Sequence, residues 1–221
     1  NNGYFIFEVS SLLDLINGKV FDWIYHEHLS YHSLISLIPF LRKAGMKIVK
    51  IKRINTKGGS FRIYATHINF TESLHDNESI ENQVNLELRF GLNKVETFLN
   101  FANEISQLGK IIKQSINDIK KPSRKMIGYG ASATTTTLLY NFDLIDEIDY
   151  LVDDNPIRWG TLFPGSALEV KNPTLLTNLS EFDVFITAWR FAIPIVNKLR
   201  TNFDFKNGQI IVPLPEVKIF S

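Results

Sequence analysis

The chain has 221 residues, 44% of them hydrophobic and 21% charged, with a formal net charge of +1. That length suffices for one large domain or two small ones with real cores, and the charge gives no bulk attraction to nucleic acid or to an anionic membrane. There are no cysteines, which excludes disulfides and thiolate zinc sites and makes the reducing cytoplasm the expected compartment, and no apolar run reaches the roughly 18 residues of a membrane-spanning helix.

The start, Asn1-Asn2-Gly3-Tyr4, has no initiator Met and no signal-like apolar stretch, and reads as the opening of a piece of something longer. Tyr4–Val9 is aromatic and β-branched throughout and predicts a buried strand. Ser10 or Ser11 is placed to cap a short helix over Leu12–Ile16, which Gly18 would end. A histidine-rich segment follows, expected as a loop with a short extended piece. Leu34–Ala44 predicts a helix with a stop at Gly45, either in two pieces or starting near Ile38 because of Pro39. Met46–Ile54 alternates as a strand does, Asn55–Gly59 is a turn, and Ser60–Thr66 is a second strand, so the two form a hairpin.

Thr71–Asn77 is polar and reads as a linker. From Ser79 to Ile119 apolar residues recur every three or four positions, which predicts an amphipathic helix of roughly 40 residues with weak points at Gly91 and Gly109. Such a helix either connects and packs a core or forms a coiled-coil dimer seam. Lys120–Arg124 marks a boundary. Beyond it, Lys125–Thr134 reads as strand, glycine turn and helix start, with the helix running to about Tyr140, and strands at Ile148–Val152, Phe182–Thr187 and Gln209–Val212 alternate with a helix over Phe191–Arg200. That order argues for a Rossmann-like parallel sheet.

Two stretches carry chemistry. Gly128-Tyr129-Gly130-Ala131-Ser132-Ala133-Thr134 lies between a strand and a helix, where backbone N–H groups can bind phosphate. Asp153 follows about 20 residues on, at the next strand end, as the ribose-binding acid does in dinucleotide sites. Three readings stay open: a NAD site, a site for another phosphate-bearing ligand such as a nucleotide sugar, or a tight turn with no ligand. The second stretch is Phe21-Asp22-Trp23-Ile24-Tyr25-His26-Glu27-His28-Leu29-Ser30-Tyr31-His32, which holds three of the five histidines. It supports acid–base catalysis near neutral pH, a metal site at His26, His28 and His32, or structural histidines. Trp189, just after a strand, is placed where ligands of parallel sheets lie, or is a core tryptophan.

Taken together with Gly45, Gly58-Gly59-Ser60, Asp153-Asp154-Asn155-Pro156, Pro164-Gly165, Ala188-Trp189 and Val212-Pro213, these segments resemble the sugar C-methyltransferases along the whole chain. Members of that family use S-adenosylmethionine to methylate a carbon beside the ketone of a nucleotide-linked deoxysugar. The resemblance implies an α/β chain in three parts. Residues 1–70 would be the end of a class I methyltransferase sheet, a late strand plus an antiparallel hairpin. Residues 71–122 would be a long connecting helix, and 123–221 a Rossmann-like substrate-binding domain. The family's N-terminal zinc-binding domain and early glycine-rich methyl-donor loop have no counterpart here.

The resemblance further maps the base onto His28, with Glu27 and Tyr25 as neighbours that orient it, bind sugar or steady the enolate oxygen; His26 ranks below them. Gly128, Tyr129, Gly130, Ala131, Ser132, Thr134, Asp153 and Trp189 become the candidate nucleotide contacts. The expected partner is a nucleotide diphospho-sugar, not nucleic acid or membrane, and the chain is expected to be a monomer or homodimer. Two alternatives remain: a NAD-dependent oxidoreductase, and a non-catalytic nucleotide-sugar-binding module.

Overall fold

A computed structural model describes residues 3–71, 74–178, 181–203, 205 and 208–221. The chain forms two compact units, one of Asn1–Phe21 with Glu27–Asn103 and one of Asp22–His26 with Glu104–Ser221. Part of the expected linker, residues 72 and 73, lies outside the described residues, as do the first two of the chain.

The first unit is built on a three-stranded antiparallel sheet of β1 (Tyr4–Ser10), β2 (Met46–Ile54) and β3 (Ser60–His67), with β3 in the middle. The register runs from Tyr4 opposite Thr66 to Ser10 opposite Ser60, and from Met46 opposite His67 to Ile54 opposite Ser60 with a bulge between Ile48 and Lys50. The turn that joins the hairpin uses Gly58 and Gly59 at φ +84° and +126°. A side chain at Gly59 would overlap Asp14, so both conformation and space demand glycine there. β1 is a strand as expected, but not a buried one: Phe5 and Ile6 are each 52% exposed.

Helix α1 (Leu12–Asn17) starts at Ser11, whose Oγ accepts from the Asp14 N–H, and ends at Gly18. Helix α2 (Leu34–Lys43) runs unbroken through Pro39. Pro39 sits on the exposed side, where its missing N–H orphans one carbonyl toward water. The start of α2 is anchored from elsewhere: Glu87, fully buried, accepts the N–H groups of Leu34 and Ile35 at 3.0 Å each. A carboxylate is well placed there, because the first amides of a helix are unpaired and carry partial positive charge. Leu34, Leu37, Ile51, Phe61 and Ile63 form the core of this unit.

The long helix is two. Helix α3 (Asn77–Phe90) is capped by Asp76 and closes at Gly91, which takes the left-handed conformation at φ +89°. Helix α4 (Val95–Ile119) then runs straight through Gly109. The two glycines differ in what surrounds them. Gly91 supplies a left-handed stop, whereas a Cβ on Gly109 would come within 2.6 Å of the Phe142 ring, so that glycine serves packing.

The second unit holds a six-stranded sheet in the order β6-β5-β4-β7-β8-β9. Its strands are β4 (Lys125–Tyr129), β5 (Tyr150–Val152), β6 (Val170–Lys171), β7 (Phe182–Phe185), β8 (Ile210–Val212) and β9 (Lys218–Phe220). All are parallel except β9, which pairs antiparallel to β8 at the margin. Helices α5 (Ala133–Asn141) and α6 (Ala192–Asn202) connect them. Ile127, Val152, Val184, Ile186 and Ile210 are fully buried in its core. Strands buried on both faces are what a parallel sheet covered by helices requires. The chain is thus the α/β protein the pattern predicts. Among the described residues no helix is long and apolar enough to cross a membrane.

Candidate functional site

The second unit carries a cavity of about 470 Å³ at the carboxyl ends of β4, β5 and β7. The chain runs outward from β4 through β5 to β6 and then crosses back to add β7 on the other side of β4, so the cavity lies where the strand order reverses, the usual ligand position of open parallel sheets. Its volume is within the range of small-molecule sites.

The glycine turn shapes one wall. Gly130 has φ +112°, and a Cβ there would come within 2.5 Å of the Ala188 Cβ and 2.9 Å of its amide N. Gly128 is set instead by packing, since a Cβ would meet Leu151 at 2.4 Å. Thr187 Oγ1 closes the turn from below, 2.7 and 2.6 Å from the carbonyl oxygens of Tyr129 and Gly130. Ser132 caps α5: its N–H donates to Thr135 Oγ1 at 3.2 Å, and the Thr135 N–H returns to the Ser132 carbonyl at 3.0 Å.

Asp153 is where the spacing puts it, but its carboxylate is already engaged. Oδ2 accepts from the Ala131 N–H at 2.7 Å and from Arg158 at 2.8 Å, and Oδ1 accepts the Asn155 N–H at 2.8 Å. The Trp159 indole N–H donates to the Asp153 carbonyl at 2.7 Å. A carboxylate has about four acceptor directions, so this one has little left for a ribose diol. The Ala131 amide, for its part, faces a carboxylate rather than open space. Both findings weigh against a dinucleotide arranged in the usual way at this turn.

Asp154 accepts from the Tyr129 hydroxyl at 2.8 Å and pairs with Lys198. Burial first, and the Asp154 carboxylate second, push the Tyr129 phenol far above its ordinary pKa of 10, so it stays protonated as a donor. The cavity wall therefore presents three cations, Arg158, Arg190 and Lys198, against two carboxylates, Asp153 and Asp154. Ala188, Phe191, Pro194 and Ile195 supply an apolar side.

Of the nucleotide contacts expected from the sequence, Tyr129, Gly130, Ser132, Thr134 and Asp153 line this cavity. Gly128, Ala131 and Trp189 are not among its lining residues. Trp189 is half-buried, with its indole N–H donating to Asp22 at 2.9 Å. Arg158, Arg190, Lys198 and Asp154 were not anticipated. The Asp153-Asp154-Asn155-Pro156 turn and the residues just after Trp189 lie at strand ends, which is the signal that points to them.

The histidine segment opens with a 3₁₀ turn over Phe21–Trp23, turns again over Tyr25–Glu27 and reaches an isolated bridge from His32 to Ser11. The extended geometry that would put His26 and His28 on one face and Glu27 on the other is not adopted. Tyr25 and His26 belong to the second unit, and Glu27 and His28 to the first. Tyr25 is half-buried and meets the His26 ring edge-on at 6.0 Å. His26 and Glu27 are exposed, and His28 is half-buried, so its ring is not sealed in the core. Among the described residues no three His, Asp or Glu side chains converge on a common point suited to a cation.

Comparison with known proteins bears on both stretches. A family model described as the C-methyltransferase C-terminal domain matches residues 55–215, which takes in the glycine turn, Asp153 and every residue of the cavity wall. The C-methyltransferase NovU of Streptomyces niveus is similar over all 221 residues at 26% identity, and these cover 52% of that protein. The chain therefore spans about half the length of this curated relative. With most of its length matched by the family model, the chain belongs to the family of C-methyltransferase C-terminal domains.

Proposed function

We propose that the chain is the acceptor-binding half of a C-methyltransferase, and that its cavity holds the nucleotide end of a nucleotide diphospho-sugar. The observation that carries this reading is the cavity wall itself. Arg158, Arg190 and Lys198 offer charge to a diphosphate, while Phe191, Pro194 and Ile195 offer an apolar surface to a base or sugar ring. Tyr129, protonated and fixed on Asp154, adds polar definition beside them.

The family's methyl source, S-adenosylmethionine, does not fit this cavity. It bears a sulfonium cation, and the wall carries more cations than carboxylates. The acid placed to take its ribose hydroxyls, Asp153, is already held by Ala131, Asn155 and Arg158. We assign no residue of this chain to the donor. Residues 1–70 are read as the closing strands of a methyltransferase sheet, a reading supported by the exposed β1 residues Tyr4, Phe5 and Ile6. The enzyme is read as cytoplasmic.

On the acceptor, the chemistry needs a proton removed from the carbon beside the ketone. His28 takes that proton, since imidazole is the side chain most often used as a general base near neutral pH. The electron pair of the broken C–H bond passes to the ketone oxygen, and the enolate carbon becomes the nucleophile that accepts the methyl group. Glu27 and Tyr25 orient the imidazole or steady the enolate oxygen.

Calorimetry with the chain tests the binding half of the proposal. TDP- or UDP-linked sugars are expected to bind, with NAD and S-adenosylmethionine much weaker. Absence of heat with every nucleotide sugar at about millimolar concentration, corresponding to less than about 4 kcal/mol of affinity, would overturn it. Binding of NAD in preference would move the assignment to an oxidoreductase.

A further inference from the structure

Arg190 differs from the other two cations of the cavity. Arg158 is paired with Asp153 and Lys198 with Asp154, both carboxylates of the cavity wall. The counter-ion of Arg190 is Asp22, which is fully buried and does not line the cavity. One terminal nitrogen of Arg190 donates to Asp22 Oδ1 at 2.6 Å, while Trp189 holds Oδ2 at 2.9 Å. The guanidinium carbon is 5.1 Å from the centroid of the Trp23 ring and 4.7 Å from that of the Trp189 ring. Its Nε is buried and has no hydrogen-bond acceptor among the described residues.

Arg190 itself lines the ligand-sized cavity, and its counter-ion stands outside the wall. Burial pushes the Asp22 carboxyl above its usual range and the Arg190 guanidinium below its own, and each opposes the shift of the other through their contact. The pair is thus confined by packing rather than by mutual attraction alone. The two indole contacts and the Asp22 hydrogen bond restrain the guanidinium, a restraint that lysine in the same place would not have.

We propose that Arg190 is the specificity-determining cation of the cavity, its guanidinium donating to a phosphoryl oxygen of the bound nucleotide, and that Asp22 is the positioning residue which holds it in line. This rests on the reading of the cavity as a nucleotide diphosphate site. It also assigns a role to the first part of the histidine segment. Asp22 and Trp23, which precede Tyr25 in the same stretch, act on the nucleotide through Arg190 rather than on the reacting carbon.

The test is a double-mutant cycle read by calorimetry with TDP, UDP and inorganic pyrophosphate as probes. Arg190→Lys keeps the charge and loses the fixed donor, and is expected to weaken nucleotide binding by about 10- to 100-fold, as for a lost charge-assisted hydrogen bond. Asp22→Asn is expected to weaken it by less, about 3- to 10-fold, and to have no further effect when Arg190 is already Lys. A merely structural role for Asp22 would give independent losses that multiply. Circular dichroism and urea midpoints identify variants that fail to fold. For these, Asp22→Leu combined with Arg190→Met removes the buried pair as a unit and keeps the question answerable, since the fold is expected to survive without it. Wild-type affinity in folded Arg190→Lys, or in the folded double variant, overturns the inference while leaving the cavity assignment standing. Failure of the unaltered chain to bind any probe overturns both. Equal affinity for pyrophosphate and nucleoside diphosphate places the recognised group in the diphosphate alone and supports the Arg190 contact.

Discussion

The two sheets of this chain are made from similar residues and solve different problems. In the second unit every residue of β5, β7 and β8 is buried, and helices cover what the strands present. In the first unit only β3 is largely buried, and the aromatic strand β1 is open to solvent along most of its length. One sheet finishes its own core and so leaves a formed cavity at its strand ends. The other supplies the segment with the proposed base but presents an edge strand whose Phe5 and Phe7 rings stack on each other, 4.8 Å apart. A finished core is what a binding site needs, since its side chains must be held before the ligand arrives. Long exposed apolar edges, by contrast, are usually covered by another element or another chain.

The sharpest way to separate the two halves is chemical. In a complete enzyme containing this chain, His28→Ala is expected to cut turnover about 10²- to 10⁴-fold while nucleotide-sugar affinity and melting temperature stay put. Near-normal turnover in that variant removes the proposed base. The next largest effect is on stability. Phe185→Ala, at a fully buried site in β7, is expected to cost about 3–5 kcal/mol in urea unfolding, whereas Phe5→Ala on β1 should stay within about 0.5 kcal/mol. Comparable losses at both sites would mean that β1 is covered in solution.

Glu87 is the strongest local anchor of the first unit, and Glu87→Ala should cost about 2–4 kcal/mol, because two helix amides and Gln83 lose one acceptor group. Glu87→Gln should lose less. Equal stability of wild type and Glu87→Ala would show that water replaces the carboxylate without penalty.

The smallest expected effect is a pH dependence. Burial lowers the pKa of His32 from its usual 6.5. The unfolded chain therefore takes up the proton first as pH falls, so stability is fully present above about 6.5 and declines as pH drops toward the lower folded-state value. The urea midpoint should fall between about pH 7.5 and about pH 5.5, and His32→Asn should flatten that slope. An unchanged slope in the variant would assign the acid sensitivity elsewhere.

The hairpin and the parallel strands β4, β5, β7 and β8 were legible because alternation or apolar, β-branched runs mark them. Strand β6 has only two residues, and the three of β9 include Lys218 and form no such run. The exposure of β1 could not be read, because a continuous apolar run looks the same whether a sheet covers it or not. Pro39 reads as a breaker, yet a distant carboxylate pins the start of its helix, a tertiary effect with no local mark. At the site, the glycine turn and Asp153 were visible through their spacing. Their use was not, because Asp153 spends its oxygens on Ala131, Asn155 and Arg158. Lone basic residues such as Arg158, Arg190 and Lys198 look like any surface cation until topology gathers them at one end of a sheet.

The distribution of indole side chains has a practical consequence. All three tryptophans, Trp23, Trp159 and Trp189, belong to the second unit, although Trp23 comes from the other end of the sequence. Emission excited at long wavelength will therefore follow the parallel-sheet half alone, while the hairpin half, whose aromatic residues are Phe and Tyr, stays optically silent. Melting followed by this signal beside far-ultraviolet dichroism would show directly whether the two halves come apart together or in sequence.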